Sequence, residues 1–141
     1  MSYVKPLPDI TEENRPFWDA LKEHVFLVPR CTECGDYNWV PAATCRSCFN
    51  RSLRWTEVSG RGSLYSYTVV RRGPGAWQED VPYVVAMVEL EENPRPLIVM
   101  GNLVDGEVDL LEIGMPVEIT YLDIPEEDVT LWQFTLRQAT P

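Results

Sequence analysis

The four cysteines of this chain are the side chains whose type and spacing most clearly indicate chemistry. They are arranged as C-x2-C-x10-C-x2-C, at Cys31, Cys34, Cys45 and Cys48. Two Cys-x-x-Cys turns about a dozen residues apart are typical of a structural zinc site, because each turn directs two thiolates at one tetrahedral ion. Four thiolates leave no coordination position for a substrate. We therefore predict a structural Zn²⁺ that stabilises a module too small for a core of its own.

The residues that follow each turn bear on its backbone geometry. Gly35 follows the first turn and suits the positive φ with which a metal-binding turn ends. Phe49 occupies the corresponding position after the second turn and fits it less well. Between the turns, residues 37–41 are predicted to form an outgoing strand.

Other uses of the four cysteines are less consistent with the sequence. Disulfides require an oxidising compartment, and residues 1–25 contain no apolar core of a signal peptide. A dithiol redox site needs only one Cys-x-x-Cys pair, usually at the start of a helix. An iron centre with four thiolate ligands remains an alternative to zinc.

Length and hydropathy define the class of protein. A chain of 141 residues suits one compact domain with an accessory module. No apolar run approaches the roughly 20 residues that a membrane helix requires. With reduced cysteines and no targeting signal, we expect a cytoplasmic protein that does not associate with membranes.

The net charge of −10 is unevenly distributed. Residues 1–72 contain ten of the twelve Lys and Arg against eight acidic residues, whereas residues 73–141 contain two against fourteen. Nucleic-acid binding depends on neutralising phosphates, so a chain this acidic is poorly suited to it. Six arginines between residues 46 and 72 either bind a smaller anionic ligand or an acidic partner, or are solvated and pair with acids of the chain itself. They are Arg46, Arg51, Arg54, Arg61, Arg71 and Arg72.

An extended arm and a helix are predicted before the cysteines, within residues 1–28. Thr11, Asn14 and Pro16 are plausible start signals of the helix. Its apolar stripe is expected to pack on the protein's own core rather than in a partner's groove. Four residues form that stripe, Phe17, Trp18, Leu21 and Val25. His24, the only histidine, lies at the end of the helix and is expected to cap it at the surface.

The remaining sequence predicts a ribbon and a barrel. Strands at 26–29 and 53–55 flank the cysteine turns of the ribbon, residues 29–58. Residues 59–141 then show period-two alternation, which predicts five strands at 63–72, 83–90, 97–100, 116–122 and 130–137. The dense apolar run at 83–90 predicts burial on both faces. We therefore expect a mainly β protein with an N-terminal helix, a four-cysteine zinc ribbon and a five-stranded OB-fold barrel, with an SH3-like barrel as the alternative.

No catalytic residue is predicted. The cysteines are taken by the metal, His24 has no evident partner, and the sequence contains neither a G-x-S-x-G elbow nor a phosphate loop. We expect a chain without its own catalytic set to act through another protein, and whether it is itself an enzyme stays open.

Several short motifs resemble those of one family, called domain of unknown function 35 and described as a rubredoxin-like zinc ribbon plus an acyl-CoA-associated OB-fold. The resemblance covers roughly residues 10–138. It rests on Pro16-Phe17-Trp18, Arg30-Cys31-x-x-Cys34-Gly35, Cys45-x-x-Cys48, Ser59-Gly60-Arg61-Gly62 and Gly114-Met115-Pro116-Val117. The departure is Phe49, where many members have glycine.

The resemblance implies a small partner subunit of a thiolase-superfamily enzyme that acts on acyl-CoA thioesters, in a hetero-oligomer. It further implies a role in aromatic-compound degradation, as in a benzoylsuccinyl-CoA thiolase, or in steroid side-chain degradation, and a share in the path of the CoA thioester. On this interpretation the helix and the loop 73–81, with Trp77, dock on the large subunit. Arg71 and Arg72 then face the CoA phosphates or the partner. Alternatively, Trp77 folds over the mouth of the barrel.

The alternative function is that of a single-stranded nucleic-acid-binding protein, since ribbons and OB-folds both serve that purpose. Tyr65 and Tyr67 lie on one predicted strand and are candidates for a stacking platform, or else fill the barrel. The excess of twelve negative charges in residues 73–141 argues against this function.

Overall fold

A computed structural model describes residues 3–92 and 95–137. It contains one α-helix, α1, followed by seven strands. Within the described ranges, α1 is eight residues long and no helix has the length and apolarity that a bilayer span requires. The elements are α1 (Arg15–Lys22), β1 (Leu27–Cys31), β2 (Leu53–Glu57), β3 (Arg61–Val70), β4 (Tyr83–Leu90), β5 (Leu97–Leu103), β6 (Pro116–Ile124) and β7 (Val129–Leu136).

Five of the strands close into a barrel in the order β3-β4-β5-β7-β6. Neighbouring strands are antiparallel except β5 and β7, which are parallel and meet at one pair, Leu103 with Phe134. The predicted OB-fold barrel is thereby confirmed, and the SH3-like alternative is wrong. The bounds predicted for β4 and the predicted starts of β5 and β6 match the structure, and the remaining ends of the five strands differ by one to three residues.

The apolar strand β4 is fully buried on one face only. Its inward residues are Val84, Ala86, Val88 and Leu90, and the residues between them are half-buried. The expectation of burial on both faces is therefore wrong, because the outer face of a barrel strand is covered only where another element lies over it.

A bulge in β3 separates the two tyrosines that were candidates for a stacking platform. Leu64 pairs with Val88 and Ser66 with Met87, which leaves Tyr65 as the extra residue. Tyr65 is half exposed, whereas Tyr67 packs against the core and its hydroxyl donates to the carbonyl of Leu111. Because the bulge turns them to different faces, the platform prediction is wrong.

The N-terminal helix is shorter than predicted and is buried as expected. It ends at Lys22, so Val25 lies beyond it. Phe17 and Leu21 are buried in the protein's own core and Trp18 packs against that core. A reciprocal pair of bonds precedes the helix: the Thr11 N–H donates to Asn14 Oδ1, and the Asn14 N–H donates to Thr11 Oγ1.

A cluster of aromatic rings joins the helix, the ribbon and the barrel. Its ring centroids lie 5.1 to 6.0 Å apart, and the rings meet mostly edge to face or tilted. The members are Phe17 and Trp18 of α1, Phe26 before β1, Trp39 between the cysteine turns and Trp132 of β7. The three segments predicted from the sequence therefore share one core.

Candidate metal centre

The structure brings the four cysteine sulfurs together. All four Sγ atoms lie within 4.8 Å of one another. The Sγ atoms of Cys31 and Cys48 are 3.6 Å apart, and so are those of Cys34 and Cys45. A tetrahedral ion with Zn–S bonds of about 2.3 Å requires sulfur–sulfur distances of about 3.8 Å. The residues present therefore fit a tetrahedral four-thiolate site.

The two cysteine turns have the same backbone geometry. The Gly35 N–H donates to the Cys31 carbonyl at 2.9 Å, and the Phe49 N–H donates to the Cys45 carbonyl at 2.8 Å. Both donor residues are left-handed, with φ of 78° at Gly35 and 62° at Phe49. Phe49 thus takes the conformation that glycine adopts without strain, and its ring is 77% exposed.

Donors around the sulfurs favour thiolates on two of the cysteines. The pKa of Cys45 is lowered to about 6, first by the Cys48 backbone N–H and then by Asn38 and the Ser47 N–H. The Cys34 backbone N–H is the main cause of the lowered pKa of Cys31. Such donors prepare sulfur for metal binding, because the ligand is the thiolate.

The other two thiols show why a cation is needed. For Cys48, the Asn50 backbone N–H lowers the pKa, but burial and the other cysteines outweigh it and raise the pKa to about 12. The pKa of Cys34 is also raised, because burial, Cys45 and Cys31 outweigh the Asp36 backbone N–H. Four thiolates this close repel one another, so all four ionise together only around a positive ion.

The segment between the turns is not the predicted strand. Tyr37 forms a single bridge with Arg30, and no strand within the described part of the chain covers residues 37–41. Two backbone bonds form this bridge, Asn38 N–H to the Pro29 carbonyl and Cys31 N–H to the Asp36 carbonyl, and the side chain of Asn38 adds contacts to the second turn. Its Oδ1 accepts from the Arg46 N–H at 2.9 Å, and its Nδ2 lies 3.5 Å from Cys45 Sγ. Asn38 is buried and ties the first turn to the second.

A buried carboxylate forms a second connection between the turns. Asp36 accepts a hydrogen bond from the Ser47 hydroxyl, and Arg95 Nη1 lies 3.5 Å from its carboxylate. Arg95 also donates to Ser47 Oγ at 3.2 Å. Arg95 lies just before β5, so this cluster attaches the ribbon to the barrel. Neither Asn38 nor Asp36 stood out in the sequence, because single polar residues carry no spacing signal.

The only histidine has a partner that the sequence did not reveal. His24 Nε2 lies 3.0 and 3.1 Å from the two carboxylate oxygens of Asp123, and its ring stacks on Tyr121 at 4.6 Å. Thr130 Oγ1 donates to Asp123 at 2.7 Å. The pKa of Asp123 is lowered first by this hydroxyl and then by His24. His24 is exposed at the end of α1, where its backbone N–H donates to the Leu21 carbonyl at 2.9 Å, as the expectation of a surface cap required. Its side chain in addition ties the end of α1 to β6.

The arginines and the tryptophan assigned to docking lie at the end of β3. Arg71 and Arg72 are exposed. Trp77 is half-buried in a short 3-10 turn, Gly75–Asp80, with its ring 5.5 Å from that of Tyr83. Trp77 therefore folds against the barrel, as the alternative interpretation expected. Of the other arginines, Arg61 pairs with Glu91, in agreement with the alternative in which the arginines pair with acids of the chain itself.

Family models match two adjacent parts of the chain. The model described as "ChsH2, rubredoxin-like zinc ribbon domain" matches residues 18–54. The model described as "ChsH2, C-terminal OB-fold domain" matches residues 55–122. Together they cover the four cysteines and most of the barrel.

Curated relatives cover most of this chain. It is 36% identical over 138 residues to a probable enoyl-CoA hydratase alpha subunit of Thermomonospora curvata, covering 98% of this chain and 41% of that protein. It is 32% identical over 126 residues to the 3-oxo-4,17-pregnadiene-20-carboxyl-CoA hydratase alpha subunit of Mycobacterium tuberculosis, covering 89% of this chain and 39% of that protein. The chain thus spans about two fifths of the length of these two relatives. A DUF35 domain-containing scaffold protein of Methanocaldococcus jannaschii is 34% identical over 113 residues, 78% of this chain and 77% of that one.

A solved structure agrees with the sequence matches. A chain of the Ltp2-ChsH2(DUF35) aldolase superposes with a TM-score of 0.79 at 33% identity, covering 92% of this chain and 98% of that chain. Nearly the whole of that chain therefore shares its fold with this one. This chain belongs to the DUF35 family, with a zinc ribbon and an OB-fold domain of the ChsH2 type.

Proposed function

We propose that this chain is a non-catalytic small subunit that binds a thiolase- or aldolase-type large subunit acting on acyl-CoA thioesters. The proposal rests on one observation. This chain is 33% identical to a chain of the Ltp2-ChsH2(DUF35) aldolase, and the match covers 98% of that chain. The names of the two hydratase alpha subunits support CoA thioesters as the substrate class. The role is to assemble or support the large subunit in a hetero-oligomer in the cytoplasm, where thiol ligands stay reduced.

The ion of this subunit is structural zinc, held by Cys31, Cys34, Cys45 and Cys48. The tetrahedral spacing of the sulfurs and the zinc-ribbon match support it. Zinc supplies charge that neutralises the thiolates and fixes the two turns, and it does no chemistry on substrate. Iron is the alternative ion, and metal analysis of the purified protein separates the two.

The docking surface includes the exposed side of α1 and the segment 71–81. Because Phe17 and Leu21 are buried in the chain's own core, the helix presents its polar side, including Asp19 and Lys22, to the partner. Arg71 and Arg72 are exposed beside the Trp77 turn, where guanidinium groups suit an acidic partner surface or the phosphates of CoA.

The substrate we propose is the CoA thioester of a steroid side chain. The pregnadiene-carboxyl-CoA hydratase alpha subunit supports it, whereas the benzoylsuccinyl-CoA alternative rests only on the resemblance of the family. Assay of a purified complex with both types of thioester distinguishes them by turnover.

Co-purification tests the subunit role. The tagged chain is co-expressed with each thiolase-type protein of the same genome, and complexes are sought by size-exclusion chromatography and by carbon–carbon bond cleavage of acyl-CoA thioesters. We expect one stable complex whose activity exceeds that of the large subunit alone. A chain that stays monomeric beside every candidate, and leaves every activity unchanged, would overturn the proposal.

The metal is tested by Cys45→Ser. We expect loss of zinc and unfolding of the ribbon, with partner binding lost while the barrel keeps its strands, because the ribbon depends on the ion and the barrel has its own core. Metal content, far-UV circular dichroism and co-purification measure the three effects. Thr44→Ser, which changes the preceding residue but no ligand, is the matched control. A metal-free protein that still forms the full complex would show the ribbon to be dispensable.

A further inference from the structure

A cleft of about 400 Å³ lies beside the end of the barrel, away from the cysteines. Four separate parts of the chain line it: the N-terminal arm with Tyr3 and Lys5, the turn that contains Trp77, strands of the barrel, and the segment 104–108 that follows β5. Ligand pockets for small molecules begin at about 300 Å³ and are mostly apolar with a few polar groups. This cleft has a size in that range, and its lining combines apolar with polar side chains.

The aromatic wall of the cleft is already in place. The Lys5 ammonium lies 4.9 Å from the centre of the Trp77 ring and forms an ion pair with Asp80. The same indole contacts the Tyr83 ring at 5.5 Å. The arm and the turn thus hold each other against the barrel, so a flat ring meets a preformed surface and loses less free energy to ordering.

The charges that line the cleft disfavour an anion. Lys5 is neutralised by Asp80. Asp105 remains, with its carboxylate accepting from the Thr135 hydroxyl at 2.6 Å and from the Leu136 N–H at 2.8 Å. The lining therefore has a net charge of −1, counting Lys5 as +1 and the two aspartates as −2. The phosphates of CoA do not fit here, so this site goes beyond the proposed function.

Two carboxamides supply the polar groups of the cleft. Asn102 and Gln133 line it from β5 and β7. The Asn102 amide makes only a long contact, 3.4 Å, with the Val84 carbonyl, and the Gln133 amide has no side-chain hydrogen bond with any residue the structure describes. A carboxamide offers a donor and an acceptor side by side, and its complement is another amide edge. We infer that the cleft binds a neutral planar ring that carries a carboxamide-like edge.

Nicotinamide and nicotinate test this inference, because they share a ring and differ in the amide and in charge. Each is titrated into the whole ¹⁵N-labelled chain, and shifts of the Trp77 indole and of the Gln133 and Asn102 amide resonances are followed by NMR. We expect nicotinamide to shift these signals to saturation. Nicotinate should bind about fivefold or more weakly, because it loses an amide donor and is repelled by Asp105.

Gln133→Glu is the site variant, since it keeps the shape of the side chain and removes its amide. It should weaken nicotinamide binding about fivefold, whereas Arg72→Gln outside the lining should leave it unchanged. Trp77→Leu, on a surface turn rather than in a strand, is the second variant if Gln133→Glu fails to fold. Equal binding of the two compounds, shifts scattered over the surface, no shift at all, or full binding by the site variants would each overturn the inference.

Discussion

The residues that end the two cysteine turns, Gly35 and Phe49, meet one backbone requirement with different side chains. Both have positive φ, and both N–H groups bond back to the first cysteine of their turn. Only Phe49 is strained by this conformation, because a residue with a Cβ atom loses about 1–2 kcal/mol in the left-handed region. Its exposed ring gains little packing in return.

Phe49→Gly is therefore expected to stabilise the metal-loaded protein. The relieved strain exceeds the greater unfolded-state freedom of glycine, for a net gain of about 0.5–1 kcal/mol in the free energy of unfolding. Urea unfolding with zinc bound measures it. Phe49→Ala removes the ring but keeps the strained φ and should give no gain. If glycine instead destabilises the protein, the ring makes contacts that outweigh the strain.

At the scale of elements, the start of β3 gives a physical reason for the motif Ser59-Gly60-Arg61-Gly62, which in the sequence was only a point of resemblance to the family. Gly60 has a φ of 77°, and Gly62 lies where a Cβ atom would be 2.2 Å from the Glu89 carbonyl oxygen of β4. The first glycine permits the turn into the strand, and the second permits the close approach of two strands.

Gly62→Ala tests the close approach. The methyl group meets backbone, which cannot rotate away, so we expect destabilisation of about 2–3 kcal/mol in thermal or urea unfolding. Gly75→Ala is the control: it has positive φ but no atom within 4 Å of the added Cβ, and should cost about 1 kcal/mol. Equal costs for both variants would contradict the clash.

The contact between α1 and β6 has a pH dependence that follows from Asp123. Its pKa is lowered in the folded chain, first by Thr130 and then by His24. The ionised carboxylate therefore contributes stability above its unfolded pKa of about 4, and this contribution is lost as the pH falls through that value to the lower folded pKa.

Asp123→Asn should accordingly lower the free energy of unfolding at pH 7 and converge with the unaltered protein in acid. Urea unfolding at pH 7, 5 and 3 follows the difference. Thr130→Val, which removes the largest cause of the shift, should reproduce most of it. A difference that stays constant down to pH 3 would show that the carboxylate is not responsible.

At the scale of the whole molecule, the aromatic cluster makes one body of three segments. Phe17 contacts Trp18, Phe26, Trp39 and Trp132, so it touches the helix, the approach to the ribbon, the ribbon and the barrel. The sequence suggested domain divisions at 28/29 and 58/59, and these stay a prediction. The buried core contains residues on both sides of each division.

Phe17→Ala should therefore affect sites far apart in the sequence. Removing a buried phenyl ring costs about 3–5 kcal/mol, and the ribbon should also release zinc faster to a chelator. Unfolding and chelator-transfer kinetics measure the two effects. Tyr65→Ala, at an aromatic residue half exposed on the barrel, should change neither by much. Unchanged zinc release with a destabilised barrel would show that the cluster does not support the ribbon.

Local patterns account for what the sequence predicted well. The four cysteines carry their chemistry in short spacings, and strand alternation requires only a few consecutive residues, so the cluster of four cysteines and β4 were readable directly. The bulge at Tyr65 could not be predicted from such patterns. One inserted residue changes which face the following residues point to, and its position depends on the pairing with the partner strand.

The sequence by itself determined the closed four-thiolate site, the helix with its buried stripe, the mainly β class and, through its motifs, the family. Only the tertiary structure decided which polar residues support these parts. Asp123 and His24 meet across 99 positions, Asn38 accepts from Arg46 of the second cysteine turn, and Lys5 of the arm completes a cleft with Trp77. Such contacts depend on how the chain closes on itself, and no local spacing encodes that closure.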